Sequence, residues 1–367
     1  MEPQRGEGSA ALSGAPVEPE SNDVLLIRAD ASPVIGAGHV MRCLALADAW
    51  RDTGGHVVFA TSMRSDAPAL RAADRQGVRL ADVSAPAGSD DDAERTAALG
   101  AGAGASVVVV DGYSFGPDYV SRLRAPNLTI VQMDDEAIAP RFTADVVINQ
   151  NAWADEQTYA GRVDAGTTVL AGASFAMLRP EFISMQRETA RRHGRGDTPN
   201  VLITLGQSDA GRTTSQHVLR ALAGTDRASS LNVRLLGQGT EPNRGLFASC
   251  SVDRVSDDMP HELIRTDLAI IGCGSTCWEA AYLGTPAIGV ILAANQHRIG
   301  HDLARRGVME LIDPVGDPAA ATATVDRLIA DPDRRAEMSR LGRALIDGRG
   351  AVRVVRFLRA ARSRRPA

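Results

Sequence analysis

The strongest constraint in this chain is a rhythm: short apolar runs alternate with amphipathic stretches, and the whole pattern starts twice. Runs at residues 24–28, 56–60, 107–110, 129–132 and 146–148 are apolar at successive positions, as strands buried on both faces of a parallel sheet must be. After the first run, residues 39–51 bring Val40, Cys43, Leu44, Ala47 and Trp50 to one helical face. A polar stretch from 191 to 200, holding Gly194, Gly196 and Pro199, then breaks the pattern. It resumes with strands at 201–205, 233–236, 268–271 and 287–291, and with helices near 213–222 and from about 275. Such repetition specifies an α/β fold of two doubly wound, Rossmann-like domains, whose strand carboxyl ends face each other across a cleft. With 367 residues there is chain enough for both. The division read from the sequence is a disordered leader (1–22), an N-terminal domain (23–188), a linker (189–199), a C-terminal domain (200–345) and a closing helix with tail (346–367). In that last segment Val354, Val355, Phe357 and Leu358 stand among several Arg, a stripe that packs on the body of the protein, with membrane-surface binding as the minor reading.

Composition removes several function classes. Net charge is −5, and all 40 cationic residues are Arg, so nothing predicts nucleic-acid affinity. No apolar run is long enough to span a membrane, and the leader lacks an apolar signal core, which predicts a cytoplasmic protein. Cys43, Cys250, Cys273 and Cys277 lack the spacing of a zinc site or a disulfide framework, and read as reduced, buried thiols. No exposed apolar stripe stands out, so a monomer is expected.

Three Gly-rich turns carry the candidate chemistry. Gly36-Ala37-Gly38-His39-Val40-Met41-Arg42 follows the first strand, where glycines let backbone approach a ligand and the next helix aims its amino end at the cleft. His39 opens that helix as a candidate base; a plain Gly turn with an incidental His is the alternative. Gly272-Cys273-Gly274-Ser275-Thr276-Cys277-Trp278-Glu279 adds hydroxyls suited to phosphate and, one turn on, a carboxylate suited to ribose hydroxyls. Ser275 as a helix cap with Glu279 as a first-turn dipole partner reads equally well. Leu205-Gly206-Gln207-Ser208-Asp209 makes a third anion-friendly turn, or a simple βα turn capped by Asp209. Asp111-Gly112-Tyr113, Asp134-Asp135 and Asn295-Gln296 also follow strands; the Asp pair as a metal site is the minor reading, and His297 with His301 lacks the zinc-protease arrangement.

Taken in order, these pieces, with Arg28-Ala29-Asp30, Leu178-Arg179-Pro180-Glu181-Phe182 and Asp258-Met259, resemble the UDP-2,4-diacetamido-2,4,6-trideoxy-β-L-altropyranose hydrolases of pseudaminic acid biosynthesis. They are similar to the spore-coat polysaccharide relatives of that family and, more distantly, to the UDP-GlcNAc transferase of lipid II synthesis. The match covers roughly residues 23–310. The resemblance implies a GT-B-like fold and an inverting, metal-independent hydrolysis of a UDP-sugar without a cofactor, with an inverting UDP-sugar-dependent glycosyltransferase as the second reading and a non-catalytic nucleotide-sugar binder as the third. By the same resemblance His39 is the catalytic residue, with Gly36, Gly38, Arg42, Tyr113 and Asn295 on the sugar. Gly206, Ser208, Gly274, Ser275, Thr276, Glu279 and Gln296 would hold UDP. The chain departs from the family at Gln207, where a second glycine is usual. Residues 61–105, rich in Ala, Gly and Asp, lack the large apolar run of a membrane-facing acceptor site, and this favours water as acceptor.

Overall fold

The computed structural model describes residues 23–32, 36–63, 77–185, 198–206, 208–237, 245–256 and 258–363. The leader, Gln207 and most of the expected linker lie outside these. The first sheet is wholly parallel: β1 (Val24–Ala29), β2 (His56–Thr61), β3 (Arg79–Asp82), β4 (Ala105–Asp111), β5 (Thr129–Met133), β6 (Val146–Asn149) and β7 (Thr168–Ala171), in the order β3-β2-β1-β4-β5-β6-β7. The second is also parallel: β8 (Asn200–Thr204), β9 (Asn232–Leu236), β10 (Ser249–Asp253), β11 (Leu268–Gly272), β12 (Ala287–Val290) and β13 (Met309–Ile312), in the order β10-β9-β8-β11-β12-β13. Both orders reverse beside the first strand of the sheet, between β1 and β4 and between β8 and β11. Those switch points are where an open α/β sheet leaves a crevice at its carboxyl edge.

The described helices are α1 (Gly38–Arg51), α2 (Asp90–Gly102), α3 (Pro117–Arg122), α4 (Pro180–Ser184), α5 (Asp209–Ala223), α6 (Met259–Ile264), α7 (Thr276–Leu283), α8 (His297–Arg305), α9 (Pro318–Ala330), α10 (Pro332–Leu345) and α11 (Gly350–Ser363). α1 is buried nearly all round, including Val40, Cys43, Leu44, Leu46, Ala47 and Trp50. The cause is its position: the sheet covers one side, and Ala351, Val354, Val355 and Leu358 of α11 join the same core.

The chain crosses between the domains at both ends of the second one. After β7, residues 176–185, grouped with the first domain on sequence, bury Ala176, Leu178, Phe182 and Met185 in the core of the second. α11 then returns to the first domain. The two crossings touch at Gly350, where an added Cβ would overlap the Ala176 carbonyl, so only glycine fits.

Candidate functional site

The turn after β1 is closed by the Gly36 amide, which donates to the Ser32 carbonyl at 2.8 Å, with Gly36 at φ +74°. α1 starts two residues later without a side-chain cap. His39 therefore lies in its first turn and Arg42 one turn further along the same face. β4 pairs with β1 so that Asp111, its last residue, stands opposite Ala29, directly beside the start of α1.

The outcome is a buried network. His39 Nδ1 lies 2.6 Å from Asp111 Oδ1. With that carboxylate as acceptor, Nδ1 carries the proton and Nε2 keeps the free lone pair. Arg42 donates to both Asp111 oxygens, from Nε and Nη2, at 2.6 Å each. It also grips Asp135, from Nη1 at 2.6 Å and Nη2 at 2.9 Å. Cys43 donates its thiol to Asp111 Oδ2 at 3.3 Å. Burial pushes the Asp111 carboxyl up, but the charge of Arg42 and the hydrogen bonds from Arg42 and His39 outweigh it and hold it well below the usual range. Burial, with the Asp111 charge, pushes the Cys43 thiol well up, so it stays protonated.

The structure engages Arg42, expected on the sugar, mainly with protein groups. Its guanidinium is committed to two carboxylates beneath the cleft, because two bidentate pairs use four of its five N–H groups. The Asp pair is likewise engaged. Asp135 holds Arg42, while Asp134 accepts from the Ala137 amide at 2.8 Å and the Tyr159 hydroxyl at 2.5 Å. Among the described residues no group of three potential metal ligands occurs.

Tyr113 stands at the rim, 48% exposed, its ring edge-on to His39 at a centroid distance of 4.9 Å. Its hydroxyl accepts from Asn295 Nδ2 of the second domain at 2.6 Å. Three further contacts join the halves from the same stretch: Arg298 Nη1 to the Glu136 carbonyl at 3.0 Å, Arg298 over the Trp153 ring at 4.5 Å, and Arg306 Nη2 to the Ala152 carbonyl at 2.8 Å. Gln296 turns inward instead, its Oε1 accepting from the Leu292 amide at 3.0 Å.

On the second domain the β11 turn is tight, with the Gly274 amide donating to the Gly272 carbonyl at 2.8 Å. α7 begins at Thr276, and Ser275 takes a helical backbone conformation without capping through its side chain. That removes the capping reading of Ser275. A Cβ placed on Gly38 would meet Ser275 Oγ at 3.5 Å, so the two Gly-rich turns, one from each domain, come face to face. The β8 turn differs. Ser208, not Asp209, caps α5, its Oγ accepting from the Gly211 amide at 3.1 Å, while Gly206 takes φ +79°. Glu279 is buried on α7 and pairs with Arg179, whose Nη2 lies 3.2 Å from Oε1. Arg179 was quoted in the sequence only as part of a motif; nothing local predicts a partner 100 positions away.

No model of a known protein family matches the chain. An uncharacterized protein of Methanocaldococcus jannaschii, MJ1062, is 25% identical over 274 residues, or 72% of this chain. The spore coat polysaccharide biosynthesis protein SpsG of Bacillus subtilis is 22% identical over 209 residues, or 53% of this chain. The chain spans 54% and 59% of the lengths of these relatives. Among solved structures, MurG of Acinetobacter baumannii aligns with a TM-score of 0.64 at 19% identity, over 92% of this chain and 99% of that one. The spinosyn forosaminyltransferase SpnP gives 0.64 at 16%, over 93% and 99%, and HepE of Anabaena, solved in complex with UDP-glucose, gives 0.60 at 14%, over 93% and 99%. The match to SpsG is distant homology, and the likeness to the structures is one of fold: two parallel α/β sheets in the GT-B arrangement expected from the sequence.

Proposed function

We propose that this chain is an inverting, UDP-sugar-dependent glycosyl-transferring enzyme with His39 as its base. The observation that carries the reading is the His39–Asp111 pair at 2.6 Å, set on the turn that faces Ser275. A base with Nδ1 held by a carboxylate has the form needed to draw a proton from an attacking hydroxyl. In the proposed step the acceptor O–H gives its proton to His39 Nε2 while its oxygen bonds to the anomeric carbon. The bond from that carbon to the β-phosphate oxygen breaks, and its electron pair leaves with UDP. The amino end of α7, with Gly274, Ser275 and Thr276, takes up the charge that grows on the diphosphate. Gly206 and Ser208 border the same site from the β8 turn, though the Ser208 hydroxyl is already engaged as a cap. Glu279 meets the ribose, Gly36, Gly38, Tyr113 and Asn295 border the sugar, and Gln296 supports the loop that carries Asn295.

A sugar or other hydroxyl acceptor is the reading that the glycosyltransferase neighbours favour. Water as acceptor is the second, and one observation favours it. The Tyr113–Asn295 hydrogen bond bridges the domains beside His39 and narrows the approach for a large acceptor. The test is to incubate the protein in EDTA with UDP-GlcNAc and UDP-linked diamino-trideoxyhexoses, with and without sugar acceptors, following UDP and the anomeric proton by NMR. UDP released only with acceptor establishes a transferase, and release of inverted free sugar without one establishes a hydrolase. UDP-sugar bound but unchanged in every arm rejects the enzymatic reading.

A further inference from the structure

We infer that Arg179, carried by the chain crossing between the domains, is a positioning residue of the nucleotide site: it keeps the Glu279 carboxylate charged and aimed to accept from the ribose hydroxyls of a bound nucleoside diphosphate. The inference deepens the proposed function and rests on its nucleotide reading.

Two buried carboxylates of this protein show the contrast that carries it. Asp92 is saturated: it accepts from Arg28 Nε and Nη2 at 2.9 and 3.0 Å, the Gly88 amide at 2.8 Å, Thr96 at 3.1 Å and Tyr119 at 3.0 Å. Such a group has no capacity left and serves the fold. Glu279 is 9% exposed, yet among the described residues it has a single long contact, from Arg179 Nη2 to Oε1 at 3.2 Å. Oε2 is unengaged among those residues. A carboxylate this buried is stable as an anion only with a cation beside it, and this one keeps most of its accepting capacity unused.

Arg179 is itself held in place. Nη1 pairs with Glu181 Oε1 at 2.8 Å, and the guanidinium lies 4.9 Å over the ring of the fully buried Phe182. Pro180 starts α4 directly behind it. Only a planar fork spans both carboxylates while stacking on the ring. The charged groups facing Glu279 are Arg179 and Glu181; Arg343 of α10 reaches the opposite end of α7, at the Leu283 carbonyl. Burial pushes the Glu279 carboxyl up, Arg179 pulls it back and Glu181 adds to the rise. Without Arg179 the carboxyl takes up a proton closer to neutrality, and its acceptor strength returns only as pH is raised.

The test is calorimetric titration of UDP, 2′-deoxy-UDP and uridine into the full chain and its Glu279→Gln, Arg179→Gln and Arg179→Lys variants, from mildly acidic to mildly alkaline pH. The wild type should prefer UDP over 2′-deoxy-UDP by about tenfold or more, as one charge-assisted hydrogen bond gives. Glu279→Gln should erase most of that preference. Arg179→Gln should cut it to about threefold or less at neutral pH and regain it in alkali, with Arg179→Lys between the two. The inference is overturned if Arg179→Gln keeps the preference, weakens both nucleotides equally at every pH, or weakens UDP while sparing uridine, which would put Arg179 on the diphosphate. A preference that survives Glu279→Gln overturns this inference and leaves the nucleotide reading standing, whereas a wild type that does not bind UDP overturns the nucleotide reading and the inference with it.

Discussion

The two walls of the cleft are built on opposite plans. On the first domain, among the described residues, the carboxylates around His39 are paired: Asp111 with His39, Arg42 and Cys43, and Asp135 with Arg42. On the second, the α7 turn presents a serine that does not cap and a glutamate with one long contact. Saturated networks hold a geometry fixed, whereas unsaturated ones leave capacity for a ligand. On the proposed reading, the comparison teaches that the wall carrying His39 is preassembled and that the facing wall is completed by what binds.

The largest break in this contrast should come from Asp111→Asn. An amide can offer His39 its NH2 group and so favour the wrong tautomer, and turnover should fall about 10²–10⁴-fold. The dissociation constant for UDP, measured by calorimetry, should stay within about twofold of the wild type. Arg42→Met strikes the same wall through stability. It strands the buried Asp111 carboxylate and the partly buried Asp135, and chemical denaturation should register a loss of about 3–5 kcal/mol.

A matched pair of serines sharpens the comparison inside one sheet. Ser208 caps α5, so Ser208→Ala should cost about 1 kcal/mol of stability. Ser275 caps nothing, so Ser275→Ala should leave the melting temperature alone and weaken UDP binding by about three- to tenfold. Equal stability losses in the two variants would erase the distinction between a structural and a ligand-facing hydroxyl.

The smallest effect lies on the rear of α1, where burial, ahead of the opposing charge of Arg51, pushes the Asp48 carboxyl up to about 6. The folded state then binds this proton more tightly than the unfolded chain, whose carboxyl titrates near about 3.9. The stabilisation is complete below that value and is lost as pH rises through about 6. Asp48→Asn should therefore raise the melting temperature modestly at neutral pH and not at pH about 4.

What could be read from the sequence divides along a physical line. All nine strands seen in the sequence are in the structure, and they fill the interior of both sheets, where burial on two faces leaves an unbroken apolar run. The strands at Arg79–Asp82, Thr168–Ala171, Ser249–Asp253 and Met309–Ile312 escaped notice, and each is a sheet edge. Each is only four or five residues long and partly exposed, and polar positions bound or interrupt its apolar ones, so none shows the unbroken run of a doubly buried strand. The site divides similarly. The Gly turns at both switch points announce themselves, because a glycine pair after an apolar run is a local signal. The partnerships do not: locally Asp111 and Asp135 are only residues that follow strands, and nothing near Arg42 in sequence shows that both carboxylates converge on it. The order of the strands supplies the missing signal: once β4 is placed beside β1, an acidic residue ending β4 must lie next to the start of α1.

The central claim, a preassembled base opposite a ligand-completed nucleotide turn, is tested most directly by one variant measured two ways. His39→Asn should bind UDP within about twofold of the wild type while its single-turnover rate on a reactive UDP-sugar falls about 10²-fold or more. Turnover that survives the substitution, or UDP binding that is lost with it, would contradict the account.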